Sequence, residues 1–214
     1  MRAEPTIPGR IFSSLVTSPF DQVSELARGR HSVLLVGCGP SSRISFRRGQ
    51  AVVGIDLFLP YLISARHEGQ MSNVVRADGT SLPFKHSSFD CVLAVDVIEH
   101  LPKVAGLRLI DEMNRVCRGM LLLFTPNGFF PQKSYDGNPH QEHLAGWTTD
   151  DLERLGFSVS GANGLHVFGR WLSGGATGQF GRASWSVRVA RRLFTLVLRS
   201  LPGCSHHLMA VRTN

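Results

Sequence analysis

The chain of 214 residues, 43% hydrophobic and 18% charged, is long enough to bury one sizeable core and short for two full domains. A mean hydropathy near zero and 13 Phe exclude a disordered chain, and no run approaches the ~20 apolar residues of a membrane span. The net charge of +7 is lopsided: residues 157–214 hold seven Arg and no Asp or Glu, while the first 156 residues hold 16 basic and 16 acidic groups, so the tail asks for an anionic neighbour.

Arg2, Glu4, Pro5 and Pro8 stand where a secretory signal would place its apolar core, so the expected location is cytoplasmic. The four cysteines, Cys38, Cys91, Cys117 and Cys204, form no CxxC pair and read as reduced, packed thiols. Ile11, Leu15, Val16, Phe20, Val23, Leu26 and Ala27 recur at helical spacing, which predicts a leading helix over 11–28. A continuous apolar strand over 31–36 then runs into Gly37-Cys38-Gly39, the opening of a βαβ unit.

Further strands are predicted at 51–55, 74–78, 89–96, 120–125, 157–160 and 206–212, with helices over 57–67, 105–118 and from Thr148 or Thr149 through Leu155. Asp150, Asp151 and Glu153 suit the first turns of the last helix. Strands alternating with helices imply an α/β domain with a mostly parallel sheet covered on both faces. The whole chain reads as one domain: a leading helical segment (1–30), a core (31–164), an inserted basic segment (165–205) and a final strand (206–214).

Gly37 and Gly39 let backbone approach a ligand closely, and Asp56, 17 residues after Gly39 at the tip of the next strand, is placed to accept from a ribose diol. The plainer reading is a tight turn and an Asp that caps a helix. A dinucleotide fingerprint would require glycine where Ser42 stands.

Residues 76–102 carry Leu82-Pro83-Phe84, Ser88-Phe89-Asp90 and Asp96-Val97-Ile98-Glu99-His100-Leu101-Pro102 in sequence. With the glycine turn, this stretch resembles the class I S-adenosylmethionine-dependent methyltransferases of small-molecule type, methyltransferase domain 11-like, over about 33–157 and again at 206–212. The resemblance implies a Rossmann-like sheet of seven strands in the order 3-2-1-4-5-7-6, the last one antiparallel, and S-adenosylmethionine as cofactor with S-adenosylhomocysteine as product. It also implies that Gly37, Cys38 and Gly39 lie under the methionine part, that Asp56 holds the ribose hydroxyls, and that Asp78 accepts from the adenine amino group. Leu57 and Gly79 would flank the adenine, and Asp96 would face the sulfonium and the acceptor. The chain departs from the family at Leu35, where an acid is usual, and at Ser41, where a third glycine is usual.

Methyl transfer is an in-line displacement, so the protein must align the reactants, exclude water and, for an oxygen nucleophile, supply a base. His100 and His143, on loops after the fourth and fifth strands, are the candidate catalytic bases, although His100 also suits a structural turn. Asp96, Glu99, His100 and His143 also resemble the acids and histidines with which RNA 3′-terminal 2′-O-methyltransferases hold a divalent metal. The Glu-His-Leu-Pro string is common in relatives that use none, so metal-free chemistry is the expectation.

Residues 128–147 are expected to form the lid over the acceptor pocket. In residues 183–201, Arg188, Arg191, Arg192 and Arg199 share one helical face, and Trp185, Val189, Leu193, Leu196 and Val197 the other. That helix suits an anionic membrane surface, or equally a cover for the sheet or a dimer contact; nucleic acid fits it less well. The expected function is methyl transfer to an oxygen or nitrogen of a small metabolite, lipid- or saccharide-linked. The rivals are an RNA-directed metal-assisted enzyme, a non-catalytic cofactor-binding partner and a nicotinamide oxidoreductase.

Overall fold

The computed structural model describes residues 18–165 and 201–214. Helix α1 (Pro19–Arg28) begins where the sequence supplies a cap. The Asp21 N–H donates to Ser18 Oγ at 3.1 Å, the Ser18 N–H donates to the Asp21 carboxylate at 2.8 Å, and Pro19 fills the first helical position. Residues 11–17 of the predicted leading helix lie outside the described residues. So does residue range 166–200, which holds nearly all of the predicted basic helix.

The chain continues through β1 (Ser32–Val36), β2 (Ala51–Asp56), α2 (Leu59–Glu68), β3 (Asn73–Arg76), β4 (Phe89–Val95), α3 (Lys103–Val116) and β5 (Cys117–Pro126). It ends with α4 (Thr149–Arg154), β6 (Ser158–Leu165) and β7 (Ser205–Thr213). The strands form one sheet in the order β3-β2-β1-β4-β5-β7-β6, with β7 antiparallel to both its neighbours and the other pairs parallel. This is the predicted order.

Because side chains alternate along a strand, β1 feeds two cores. Leu34 and Val36 face a cluster with Leu109, Met113 and Val116 of α3, and Val33 and Leu35 face one with Val23 and Ala27 of α1 and Leu62 and Ala65 of α2. Both faces are thus covered, which accounts for the unbroken apolar runs of the central strands.

The helix predicted over 105–118 stops at Val116, and β5 starts three residues earlier than predicted. Phe89 pairs with Cys117 and Cys91 with Met120, so Arg118 and Gly119 together oppose Asp90 in a bulge. A Cβ on Gly119 would press into the Asp90 carbonyl, which is why the bulge carries glycine. Apolar periodicity is blind to that extra residue. The sixth strand likewise runs on to Leu165, through a Gly and Asn stretch that reads as a loop.

Strand order reverses at β1, whose neighbours β2 and β4 lie on opposite sides. The crevice beyond the carboxyl ends of β1 and β4 is where such sheets bind ligands. Since β7 is antiparallel, its beginning reaches the same edge, with His207 opposite Pro126.

Candidate active site

The chain leaves β1 through two glycines with positive φ, 62° at both Gly37 and Gly39. A Cβ on Gly37 would drive into Val97 Cγ2, so this glycine is required by conformation and by packing. Around Gly39 the Cβ position meets no atom within 4 Å; the second glycine opens onto free space. Cys38 between them is buried, its N–H donating to the Ile55 carbonyl at 2.9 Å, and burial with the nearby Asp56 charge pushes its thiol up to about 12. It is a packing group with no nucleophilic role.

Asp56 ends β2 and ties three segments together. Its Oδ2 accepts from the Gly39 N–H at 3.0 Å and its Oδ1 from the Phe58 N–H at 2.9 Å. The structural reading of Asp56 is therefore realised, and a carboxylate still has acceptor capacity beyond two bonds. Asp78 is exposed and turns its Oδ1 to the N–H and hydroxyl of Thr80, both at 2.8 Å, which leaves Oδ2 toward solvent. Gly79 is fitted closely, since a Cβ there would lie 2.9 Å from Leu109 Cδ1, and Leu57 is 39% exposed on the neighbouring loop.

The end of β4 brings the acids and histidines together. Asp96 has φ 52° and donates its N–H to the Phe124 carbonyl at 2.9 Å. Its carboxyl is reached by solvent through the open cleft yet crowded by the walls; desolvation raises it to about 6, against the pull of Arg43. One turn on, in a 3-10 turn over Ile98–His100, Glu99 is only 2% exposed. Burial first, and then the charge of Asp96, push its carboxyl up to about 8, while Thr125 Oγ1 donates to its Oε2 at 2.9 Å.

The rings of His100 and His143 meet edge to face with centroids 4.8 Å apart. His100 Nδ1 donates to the Glu142 carbonyl at 3.1 Å, and His143 Nδ1 to the Phe130 carbonyl at 2.6 Å. A carbonyl can only accept, so each Nδ1 carries a hydrogen, and in the neutral form of each ring the lone pair is on Nε2. Burial lowers the basicity of His100, which keeps it neutral at physiological pH.

These groups line one cleft of about 490 Å³, which runs from the Gly37–Gly39 turn past Asp96 to His100 and His143. Of the residues singled out in the sequence, Gly37, Cys38, Gly39, Asp96, His100 and His143 line it; Asp56 is the last residue of β2, and Leu57, Asp78 and Gly79 sit on the adjoining loops after β2 and β3. Residues 128–147 form a closed loop beside it. The Gly128 N–H donates to the Trp147 carbonyl at 2.7 Å across the neck, and Trp147, 1% exposed, donates Nε1–H to the Ile98 carbonyl at 3.2 Å. The loop is bonded internally through Gln132, whose carbonyl accepts from the His143 N–H and whose Nε2 donates to the Gln141 carbonyl.

The sequence singled out none of Arg43, Tyr61 and His207, and Gln132 only as part of the expected lid; all four line the cleft. Arg43 lies over the Phe20 ring at 5.1 Å. His207 stacks on Phe124 at 5.0 Å, and burial with the nearby His206 and His143 presses its basicity down to about 4. Only its place at the start of an antiparallel strand, paired with Pro126, brings it to this edge.

The protein family described as a methyltransferase domain matches residues 34–123. A protein of Encephalitozoon cuniculi (strain GB-M1) named as a methyltransferase is 33% identical over 144 residues, covering 64% of this chain and 67% of that one. An uncharacterized methyltransferase of Mycobacterium sp. (strain KMS) is 35% identical over 127 residues, covering 55% of this chain and 49% of that one, so the chain spans about half the length of the mycobacterial relative. Among solved structures, a SAM-dependent methyltransferase of Archaeoglobus fulgidus matches with a TM-score of 0.52 and 17% identity, covering 97% of this chain and 100% of that one.

Proposed function

Because the chain belongs to the class I S-adenosylmethionine-dependent methyltransferases, we propose that its cleft transfers a methyl group from S-adenosylmethionine to an oxygen or nitrogen of a small metabolite, lipid- or saccharide-linked. The observation that carries this reading is a single cleft joining the Gly37–Gly39 turn to the Nε2 lone pairs of His100 and His143.

The residues fit the cofactor. The open space over Gly39 admits a ligand against the backbone, and the remaining acceptor capacity of Asp56 suits ribose hydroxyls. Asp78 Oδ2 is open to the adenine amino group, with Leu57 and Gly79 beside it. Leu35, where the family usually carries an acid, is 3% exposed in the core and offers no charge, and the carboxyl of Asp96 in the cleft suits the cofactor's ammonium group in its place. When bound, the sulfonium supplies an activated methyl group for in-line displacement.

The protein's share is alignment, exclusion of water and handling of the acceptor proton. The Nε2 of His100 or His143 accepts that proton as the nucleophile attacks. Residues 128–147 close one side of the acceptor pocket, with Gln132, Tyr135 and Gln141 offering hydrogen bonds. The charge of residues 157–214, seven arginines and no acid, suits an anionic partner, and vesicle sedimentation before and after changing Arg188, Arg191, Arg192 and Arg199 to Gln tests that part.

The deciding experiment incubates the protein and methyl-labelled cofactor with small metabolites, a lipid extract and RNA in parallel. Label in a small or lipid-linked product is expected. Label confined to RNA would move the reading to an RNA methyltransferase, and no label anywhere, with no heat from S-adenosylhomocysteine in calorimetry, would end it.

A further inference from the structure

Glu99 is almost wholly buried, and a carboxyl in that position needs either a proton or a cation. Among the described residues the ion pairs are those of Arg28, Lys103, Arg115 and Arg118, none of them with Glu99. One oxygen accepts from Thr125 Oγ1. What faces the carboxyl instead is the histidine pair: one ligand atom each from Glu99, His100 and His143 lie within 4.8 Å of one another. Both imidazoles have Nδ1 committed to a carbonyl, at 3.1 Å for His100 and 2.6 Å for His143, so the atom each has to offer is a lone-pair nitrogen. Three side chains that can each ligate a cation thus converge.

We propose that Glu99, His100 and His143 form a binding site for a divalent transition-metal ion, with open coordination positions toward the cleft. Two imidazoles and one carboxylate are a donor set for Zn²⁺, Mn²⁺ or Fe²⁺; Mg²⁺ and Ca²⁺ favour oxygen throughout. The outer contacts are those that metal ligands use: each ring is oriented by a backbone carbonyl, and the carboxylate by a hydroxyl. Bonds of about 2.1 Å call for donors roughly 3.4 Å apart, a closure within reach of side-chain rotation. Asp96 lines the same cleft but stands outside the trio, so the site has three protein ligands and room for an exogenous one.

The site departs from the metal-free chemistry expected of the sequence, and its use in catalysis rests on the methyl-transfer reading above. There the ion would take the acceptor oxygen and lower the pKa of its hydroxyl, the proton passing to solvent, while the two histidines hold the ion and no longer act as free bases.

The test keeps the two readings apart. Chelator-stripped protein is dialysed against Zn²⁺, the bound metal is measured, and S-adenosylhomocysteine binding is followed by calorimetry on the same samples. One Zn²⁺ per chain is expected, with Co²⁺ giving a visible ligand-field spectrum in its place. Glu99→Gln, His100→Gln and His143→Gln should each weaken Zn²⁺ binding at least about tenfold, and Thr125→Val, one contact further out, by about tenfold. His140→Gln, an exposed histidine outside the trio, should leave it unchanged. No retained ion, or equal affinity in the trio variants and His140→Gln, or loss on His206→Gln instead, would overturn the site. The wild-type stoichiometry decides even where a variant does not fold. Metal binding without S-adenosylhomocysteine binding would keep this site and remove the methyl-transfer reading; the reverse would do the opposite.

Discussion

The backbone N–H of Gly39 donates to Asp56 Oδ2 at 3.0 Å, a bond that ties the turn after β1 to the tip of β2. The same carboxylate holds the Phe58 N–H at 2.9 Å, so one side chain both sets the loop and faces the expected ribose position. Asp56→Asn keeps one acceptor for two donors and removes the charge. S-adenosylhomocysteine affinity should fall about 10- to 100-fold, the loss of one charge-assisted hydrogen bond. Calorimetry showing unchanged affinity would restrict Asp56 to its structural bonds.

The two glycines of the turn should respond differently to alanine. Both sit at φ 62°, but only Gly37 abuts a side chain, Val97. Gly39→Ala should cost about 1 kcal/mol of stability, from backbone strain. Gly37→Ala should add overpacking and cost roughly 2–5 kcal/mol in total. Thermal melts rank them; the larger ligand-affinity loss is expected at Gly39, whose Cβ would enter the open space. A Gly39→Ala protein that melts lower than Gly37→Ala would contradict this account of the turn.

Asp90 provides the pH dependence. It accepts from Arg118 Nε at 2.8 Å, from the Ser32 N–H and hydroxyl at 2.9 and 3.0 Å, and from the His31 N–H at 3.1 Å. The Arg118 bond foremost, with Ser32, holds its carboxyl far below the usual range. A depressed carboxylate adds stability that is complete above its unfolded pKa near ~3.9 and is lost as pH falls through the lower folded value. Asp90→Asn should therefore cost about 2 kcal/mol at pH 7, and the gap to the parent should shrink once the pH drops below ~3.9. Urea melts at pH 7 and pH 3 compare the two, and an equal gap at both refutes the assignment.

His143→Gln should lower turnover by about 10²- to 10³-fold while S-adenosylhomocysteine affinity stays within a factor of about two, because the proposed role of the ring is toward the acceptor and not the cofactor. Full turnover in this variant would remove His143 from the chemistry.

Trp147 closes the neck of the 128–147 loop. Trp147→Phe keeps most of the packing but leaves the Ile98 carbonyl without its donor, at a cost of about 1–3 kcal/mol. A looser loop should show first as a raised KM for the acceptor; steady-state kinetics with unchanged KM would mean that the neck bond does not shape the pocket.

Much of the fold is legible in the chain. Continuous apolar runs such as 33–36 and 120–124, of strand length, read as strands covered on both faces, and Thr148 with the acids that follow it marks a helix start through cap chemistry confined to a few residues, whereas the cap at Ser18 falls inside the helix predicted over 11–28. The bulge at Arg118 and Gly119 was not legible, because it answers to the neighbouring strand's Asp90 carbonyl and leaves no local trace. Of the site, Gly37, Gly39, Asp96 and the two histidines could be picked out, since a turn and a string of chemically distinct side chains stand out by themselves.

Local patterning determined which segments became strands and helices and which loops carried chemistry, because cap bonds, side-chain alternation and glycine's conformational freedom act over a few residues. The tertiary structure alone decided that Glu99 loses its water, that Thr125 and the Phe130 and Glu142 carbonyls orient the groups around it, and that His207 reaches the same cleft. Burial and hydrogen-bond direction are properties of atoms brought together from 13 positions apart, as with His143 and Phe130, to 42, as with His100 and Glu142, and no short stretch of sequence holds them.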